Sequence, residues 1–142
     1  MARAFYGVLC FLLLSVVLLK NAEGRNLTRC GLTNELMNLG FDRTLLGNWV
    51  CLVESESGKK TDKMKKKANG SYALGLFQIN SKEWCTFDKK GGKCDMKCED
   101  LTNDDISDDS RCAQKAFQEM GFRGWEGWMR SCYGRKLPIP NC

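Results

Sequence analysis

The 142-residue chain contains no histidine. That absence removes Ser–His and Cys–His nucleophile pairs, and every zinc site that needs an imidazole. Acid–base chemistry is left to carboxylates, lysine, tyrosine or cysteine. Proline is scarce, with only two residues, which argues against a disordered or collagen-like chain. There is no internal repeat, low-complexity tract or Pro/Gly/Ser linker, so no hinge between separately folded units is expected. No long apolar run follows residue 19, so nothing beyond the first residues is suited to cross a membrane. The length fits one domain, and 27% charged with 43% hydrophobic residues is a globular balance.

What the chain has in excess is cysteine, nine residues in all, and its first residues decide how to read them. Val8 to Leu19 is apolar except for Ser15, Arg3 supplies a positive start, and Ala22-Glu23-Gly24 puts small residues where a signal peptidase cuts. Residues 1–24 therefore read as a signal peptide and 25–142 as the exported domain, secreted and extracellular. Cleavage removes Cys10, Arg3, Lys20 and Glu23, leaving eight cysteines and a net charge of +4. An even count in an oxidising compartment points to a disulfide framework. The Cys94/Cys98 spacing would also permit a zinc knuckle. Sequons at Asn26 and Asn69 are expected to be exposed.

The apolar pattern predicts a helix from Thr28, carrying Leu32, Leu36, Met37 and Leu39 and stopped by Gly40, and a second over 45–57 that ends at Gly58. Residues 59–84 change character: a lysine-rich opening, an Asn69-Gly70 turn signal and a β-prone run from Leu74 to Ile79 suggest a small hairpin. A third helix is expected over 104–120 and a short fourth over 125–132. The cluster Lys59, Lys60, Lys63, Lys65, Lys66 and Lys67 reads either as a solvated loop or as a steering patch for an anionic polymer such as a bacterial wall, nucleic acid or a membrane surface. It lacks the interleaved aromatics that single-stranded nucleic acid uses for stacking.

On a helical wheel with Trp49 at the origin, Val53 falls at about 40° and Glu56 at about 340°, inside the apolar arc, whereas Glu54 at about 140° faces outward. A glutamate in an apolar surround has its charged form disfavoured and can hold a proton for a leaving group. The same periodicity also allows a frayed last turn with Glu56 in water.

Three motifs now stand in register. They are Gly47-Asn48-Trp49-Val50-Cys51 with Glu56-Ser57, Gly75-Leu76-Phe77-Gln78-Ile79-Asn80-Ser81 with Trp84-Cys85, and the eight-cysteine spacing. Together they resemble the c-type lysozymes, the superfamily that includes α-lactalbumin, over essentially the whole exported chain. The resemblance implies an α+β fold with a helical lobe, a small antiparallel β lobe and a sugar-binding cleft between them. It implies bridges Cys30–Cys142, Cys51–Cys132, Cys85–Cys98 and Cys94–Cys112. It places Glu56 on the general-acid position, Trp125 on the tryptophan packed over that acid, and Gln78, Asn80 and Trp84 on cleft positions. Trp49 and Trp128 read as core. Lysozyme is itself the standard illustration of a carboxylic acid raised by an apolar, tryptophan-lined pocket, so that part of the reading comes with the resemblance.

The departures are as informative. The aspartate that retaining members place two residues before the strand glycine is here Ala73, and register cannot be shifted, because Gly70, Gln78, Asn80 and Cys85 align without gaps. Glu83 stands where a cleft tryptophan is common. Goose-type lysozymes, a related architecture, act without that aspartate. The acidic stretch 99–109 lacks the EF-hand glycine but resembles the calcium elbow of α-lactalbumins, which implies side-chain ligands Asn103, Asp108 and Asp109 with backbone oxygens of Asp100 and Asp105. No cofactor is required for catalysis, and calcium would be structural. The function so implied is hydrolysis of the β-1,4 linkage of bacterial peptidoglycan, impaired or altered by the missing carboxylate. The alternatives are a non-catalytic peptidoglycan- or carbohydrate-binding protein and a calcium-binding, α-lactalbumin-like partner protein. A monomer, with no nucleic-acid partner and no membrane span, is expected.

Overall fold

The computed structural model describes residues 24–142, so the expected signal peptide lies outside the described residues apart from Gly24. Helix α1 (Arg29–Asn38) starts where Thr28 Oγ1 accepts the Gly31 N–H at 3.0 Å, and buries Leu32 and Leu36. A short 3-10 turn (Arg43–Leu45) leads into α2 (Leu46–Ser57), which Gly58 closes in the left-handed conformation. Strands β1 (Met64–Lys66), β2 (Tyr72–Leu74) and β3 (Ile79–Asn80) form one antiparallel sheet in that order. A 3-10 segment (Cys98–Thr102) precedes α3 (Ser107–Met120), and a second (Phe122–Gly124) precedes α4 (Glu126–Ser131).

Two elements differ from the sequence reading. The run Leu74–Ile79 is not one strand. It breaks at Gly75 (φ +71°) and Gln78 (φ +50°), and a Cβ at Gly75 would fall 1.8 Å from the Leu101 carbonyl oxygen. The chain turns there because the 3-10 segment lies against it, and only glycine permits that approach. The third helix begins at Ser107 rather than 104, since Asn103 and Asp105 spend their side-chain oxygens on the backbone N–H groups of Asp105 and Ser107, both at 2.9 Å.

The core runs between the helices and under the sheet. Trp49, 2% exposed, is its hub, with edge-on contacts to Phe41 (4.9 Å), Phe77 (5.9 Å) and Trp125 (5.8 Å). Trp128 is buried as well. Each such side chain contributes a few kcal/mol on burial, about 1.5–3 for residues of this kind. Disulfides Cys30–Cys142, Cys51–Cys132, Cys85–Cys98 and Cys94–Cys112 staple the domain, so Cys94 and Cys98 belong to separate bridges. Asn26 and Asn69 are exposed. No helix among the described residues is long and apolar enough to cross a membrane.

Candidate active site

Helix α2 and the sheet face each other across a groove, lined on the helical side by Glu56, Trp125 and Arg130 and on the β side by Lys63, Lys65 and Ala73. Gln78, Asn80 and Trp84 line the same groove, so every residue expected for acid and sugar contacts comes together.

Glu56 lies in the last turn of α2 and is half-buried. Its Oε1 accepts the Gly127 N–H at 2.6 Å. That donor belongs to the first turn of α4, where backbone N–H groups have no helical partner. A Cβ on residue 127 would lie 2.6 Å from Oε1 and 2.8 Å from the carboxyl carbon, so the glycine makes room for the acid. Glu56 is therefore not in a frayed turn pointing into water. Lys63 Nζ donates to the Glu56 carbonyl oxygen at 2.5 Å and ties the start of the β lobe to the end of this helix. Glu54, on the outer face, pairs instead with Arg29 (3.3 Å) and Lys59 (3.8 Å).

Ala73 sits in the middle strand, 6% exposed, opposite Lys65 on one side and Asn80 on the other. Gln78 is a strut, its Nε2 donating to the carbonyls of Gly75 (2.9 Å) and Lys63 (3.1 Å). Asn80 Oδ1 accepts the Lys82 N–H at 2.9 Å. Trp125 is 4% exposed and donates from Nε1 to the Phe77 carbonyl at 2.8 Å, which fixes its ring against the core beside the groove. Trp84 is 3% exposed, with the Lys93 ammonium 4.9 Å from its ring centroid. Glu83 is exposed and pairs with Lys93 at 3.5 Å.

The residues of the expected calcium elbow lie between the 3-10 segment Cys98–Thr102 and the first turn of α3. Asp100 and Asp108 line a surface depression with Lys90, Arg111 and Lys115. The side-chain oxygens of Asn103 and Asp105 accept backbone N–H groups. Asp109 is fully buried, and neither of its oxygens has a hydrogen-bond partner among the described residues. Burial, reinforced by the neighbouring Asp108 charge, pushes its carboxyl up to about 9. No cluster of three or more His, Cys, Asp or Glu side chains converges among the described residues. Asp108 and Asp109 stand side by side in the first turn of α3, with Asp108 Oδ1 accepting the Asp109 N–H at 3.0 Å.

Gly127 escaped the sequence reading, and the lysine cluster was read there without its alternation along the groove. Gly127 carries no periodic signal, because its role is a contact with a residue 71 positions away. Lys63, Lys65 and Lys67 were legible in principle: alternate residues of a strand share a face, and all three line the groove.

The sequence model of the C-type lysozyme/alpha-lactalbumin family matches residues 25–142. The lysozyme of Bombyx mori is 44% identical over 128 residues, covering 89% of this chain and 93% of its own. That of Hyalophora cecropia is 47% identical over 124 residues, covering 86% and 89%. Among solved structures, the lysozyme from Equus asinus superimposes with a TM-score of 0.73 at 35% identity, covering 79% of this chain and 92% of its own. A calcium-binding lysozyme from equine milk gives 0.74 at 33% identity, with the same coverage. A match that spans the whole described domain and relatives above 40% identity place this chain in the C-type lysozyme/alpha-lactalbumin family.

Proposed function

We propose that the protein is a secreted, lysozyme-like glycoside hydrolase that cuts the β-1,4 linkage of bacterial peptidoglycan, with activity lowered or altered by the methyl group at Ala73. Residues 1–24 would direct export, and four disulfides fit an oxidising, extracellular setting. The observation that carries the reading is Glu56, held by the Gly127 N–H at the edge of a groove lined by Trp84, Asn80 and Trp125. Relatives named lysozyme support the hydrolase class.

In this reading Glu56 delivers its proton to the bridging oxygen as the bond from that oxygen to the anomeric carbon breaks. A retaining enzyme would then use a carboxylate on the opposite wall, and β2 offers only Ala73. The other acids lining the groove are Glu126, on the helix packed against α2, and Glu83, already paired with Lys93. Water must therefore meet the oxocarbenium ion beside Ala73 and lose its proton to solvent, while Glu56 is reprotonated from solvent. Without the stabilising charge this route is slow.

A turbidity assay on bacterial wall suspensions, run beside a pull-down on insoluble peptidoglycan, tests the reading. Slow lysis that Glu56→Gln abolishes, with retention on peptidoglycan unchanged, is the expected result. A second reading, a wall-binding protein without turnover, is favoured by Lys65, which stands opposite Ala73 in the sheet and lines the same groove, where an acid would be needed. Retention without any lysis, in both the natural protein and the Glu56→Gln variant, would select it.

A further inference from the structure

The β wall of the groove carries cations where the family reading leads one to look for an anion. Strand β1 alternates, so Lys63, Lys65 and Lys67 line the groove while Met64 and Lys66 do not. Lys65 is the register partner of Ala73, which puts an ammonium-bearing side chain within about 5 Å, Cβ to Cβ, of the methyl in the middle of the wall. Arg130 faces the same groove from α4. Among the described residues none of these four side chains is in an ion pair, and only Lys63 makes a hydrogen bond, to a backbone carbonyl. The groove's acids, Glu56, Glu83 and Glu126, form no salt bridge with these cations among the described residues: Glu56 accepts the Gly127 N–H, Glu83 pairs with Lys93, and Glu126 stands on α4, across the groove from the strand lysines. Like charges gathered on one wall of a concave site focus a positive potential into it.

We propose that this wall binds the anionic groups of an acidic glycan, a polysaccharide with carboxylates or sulfates repeated along its chain, with Lys65 and Lys67 as the residues that select it. The inference rests on the reading of the groove as a sugar site. Neutral sugar contacts would come from Asn80 and the acid side, and the strand lysines add a charge requirement. A single-stranded nucleic acid fits less well, because no aromatic residue interleaves with the lysines and Trp84 and Trp125 are both buried.

Calorimetric titration of the secreted, disulfide-bonded protein provides the test, with four probes: neutral chitohexaose, a hexasaccharide with a glucuronate on alternate sugars, the methyl ester of that hexasaccharide, and an oligothymidylate. The carboxylated hexasaccharide should bind about tenfold tighter than its ester at low salt, with the gap closing as salt rises, since exposed charge contacts are worth a few-fold each and are screened. The double variant K65Q/K67Q should remove most of that gap and leave chitohexaose binding unchanged. K89Q/K136Q, which removes the same charge from exposed positions outside the groove, should leave the gap intact. Equal affinity for acid and ester overturns the proposal, as does an equal loss in K89Q/K136Q or an oligothymidylate that binds as tightly with the same lysine dependence. If chitohexaose binds and the acid gains nothing, the sugar site stands and only the charge selection falls. If no saccharide binds, both fall together.

Discussion

Glu56 depends on a residue that has no side chain. The wheel position of Glu56 was legible from sequence because placement on a helix face is a local property, settled within one turn of α2. Its partner was not, because the Gly127 N–H comes from another helix and nothing in the local pattern marks the contact. The Gly127→Ala variant separates the two levels. Helix propensity alone favours alanine over glycine inside a helix by roughly 0.5–1 kcal/mol. Packing opposes it, because the new methyl would fall 2.6 Å from Glu56 Oε1. We expect packing to prevail: the carboxyl is pushed out, the hydrogen bond is lost, stability falls by about 1–2 kcal/mol, and any lytic rate falls more than tenfold. Thermal melts and wall-lysis rates measured on the same preparation check it. A variant that is more stable and equally lytic would mean that Glu56 has no need of this anchor.

At the level of elements, helices were read better than the sheet, for a physical reason. Caps and apolar stripes lie within the segment they describe, as Thr28, Gly58 and the Leu32/Leu36 face show. The break in 74–79 is imposed by the Leu101 carbonyl pressing on Gly75, a contact across 26 residues that local β propensity does not register. The same junction holds Asp109, in the first turn of α3, with its Oδ2 2.8 Å from where a Gly75 Cβ would stand. A helix start favours negative charge, but complete burial without a partner outweighs it, and the carboxyl rises to about 9 from an unfolded value of about 3.9. The native state therefore holds a proton that the unfolded chain releases. Stability is untouched by this group below pH 4, declines as pH rises between the two values, and levels off above 9. No histidine titrates in that window to obscure the trend. In calcium-free buffer the melting temperature should fall from pH 5 to pH 9, and Asp109→Asn should flatten the slope and raise the melting temperature at pH 9. A slope that persists unchanged in the variant would assign it to other groups.

Across the whole molecule, the cysteine framework made the fold legible: eight half-cystines in register identify the chain's relatives more securely than any single helix does. The framework also divides into two kinds of staple. Cys30–Cys142 spans 112 residues and fastens the C-terminal tail to α1, whereas Cys51–Cys132 spans 81 and joins α2 to the end of α4. Chain entropy treats them almost alike. Each should contribute about 4–5 kcal/mol, and the difference in loop length amounts to only ~0.3 kcal/mol. Their consequences for the groove should differ. The Cys51–Cys132 bridge holds together the two helices that bring the Glu56 carboxyl to the Gly127 N–H, while the tail bridge touches neither wall. Paired alanine variants should therefore lose similar stability in denaturant titrations, but at a temperature where both remain folded only C51A/C132A should lose chitohexaose affinity and lytic rate. Were C30A/C142A to lose them equally, the groove would depend on the stability of the whole domain rather than on the alignment of α2 with α4, and the anchoring role given to Gly127 would have to be abandoned.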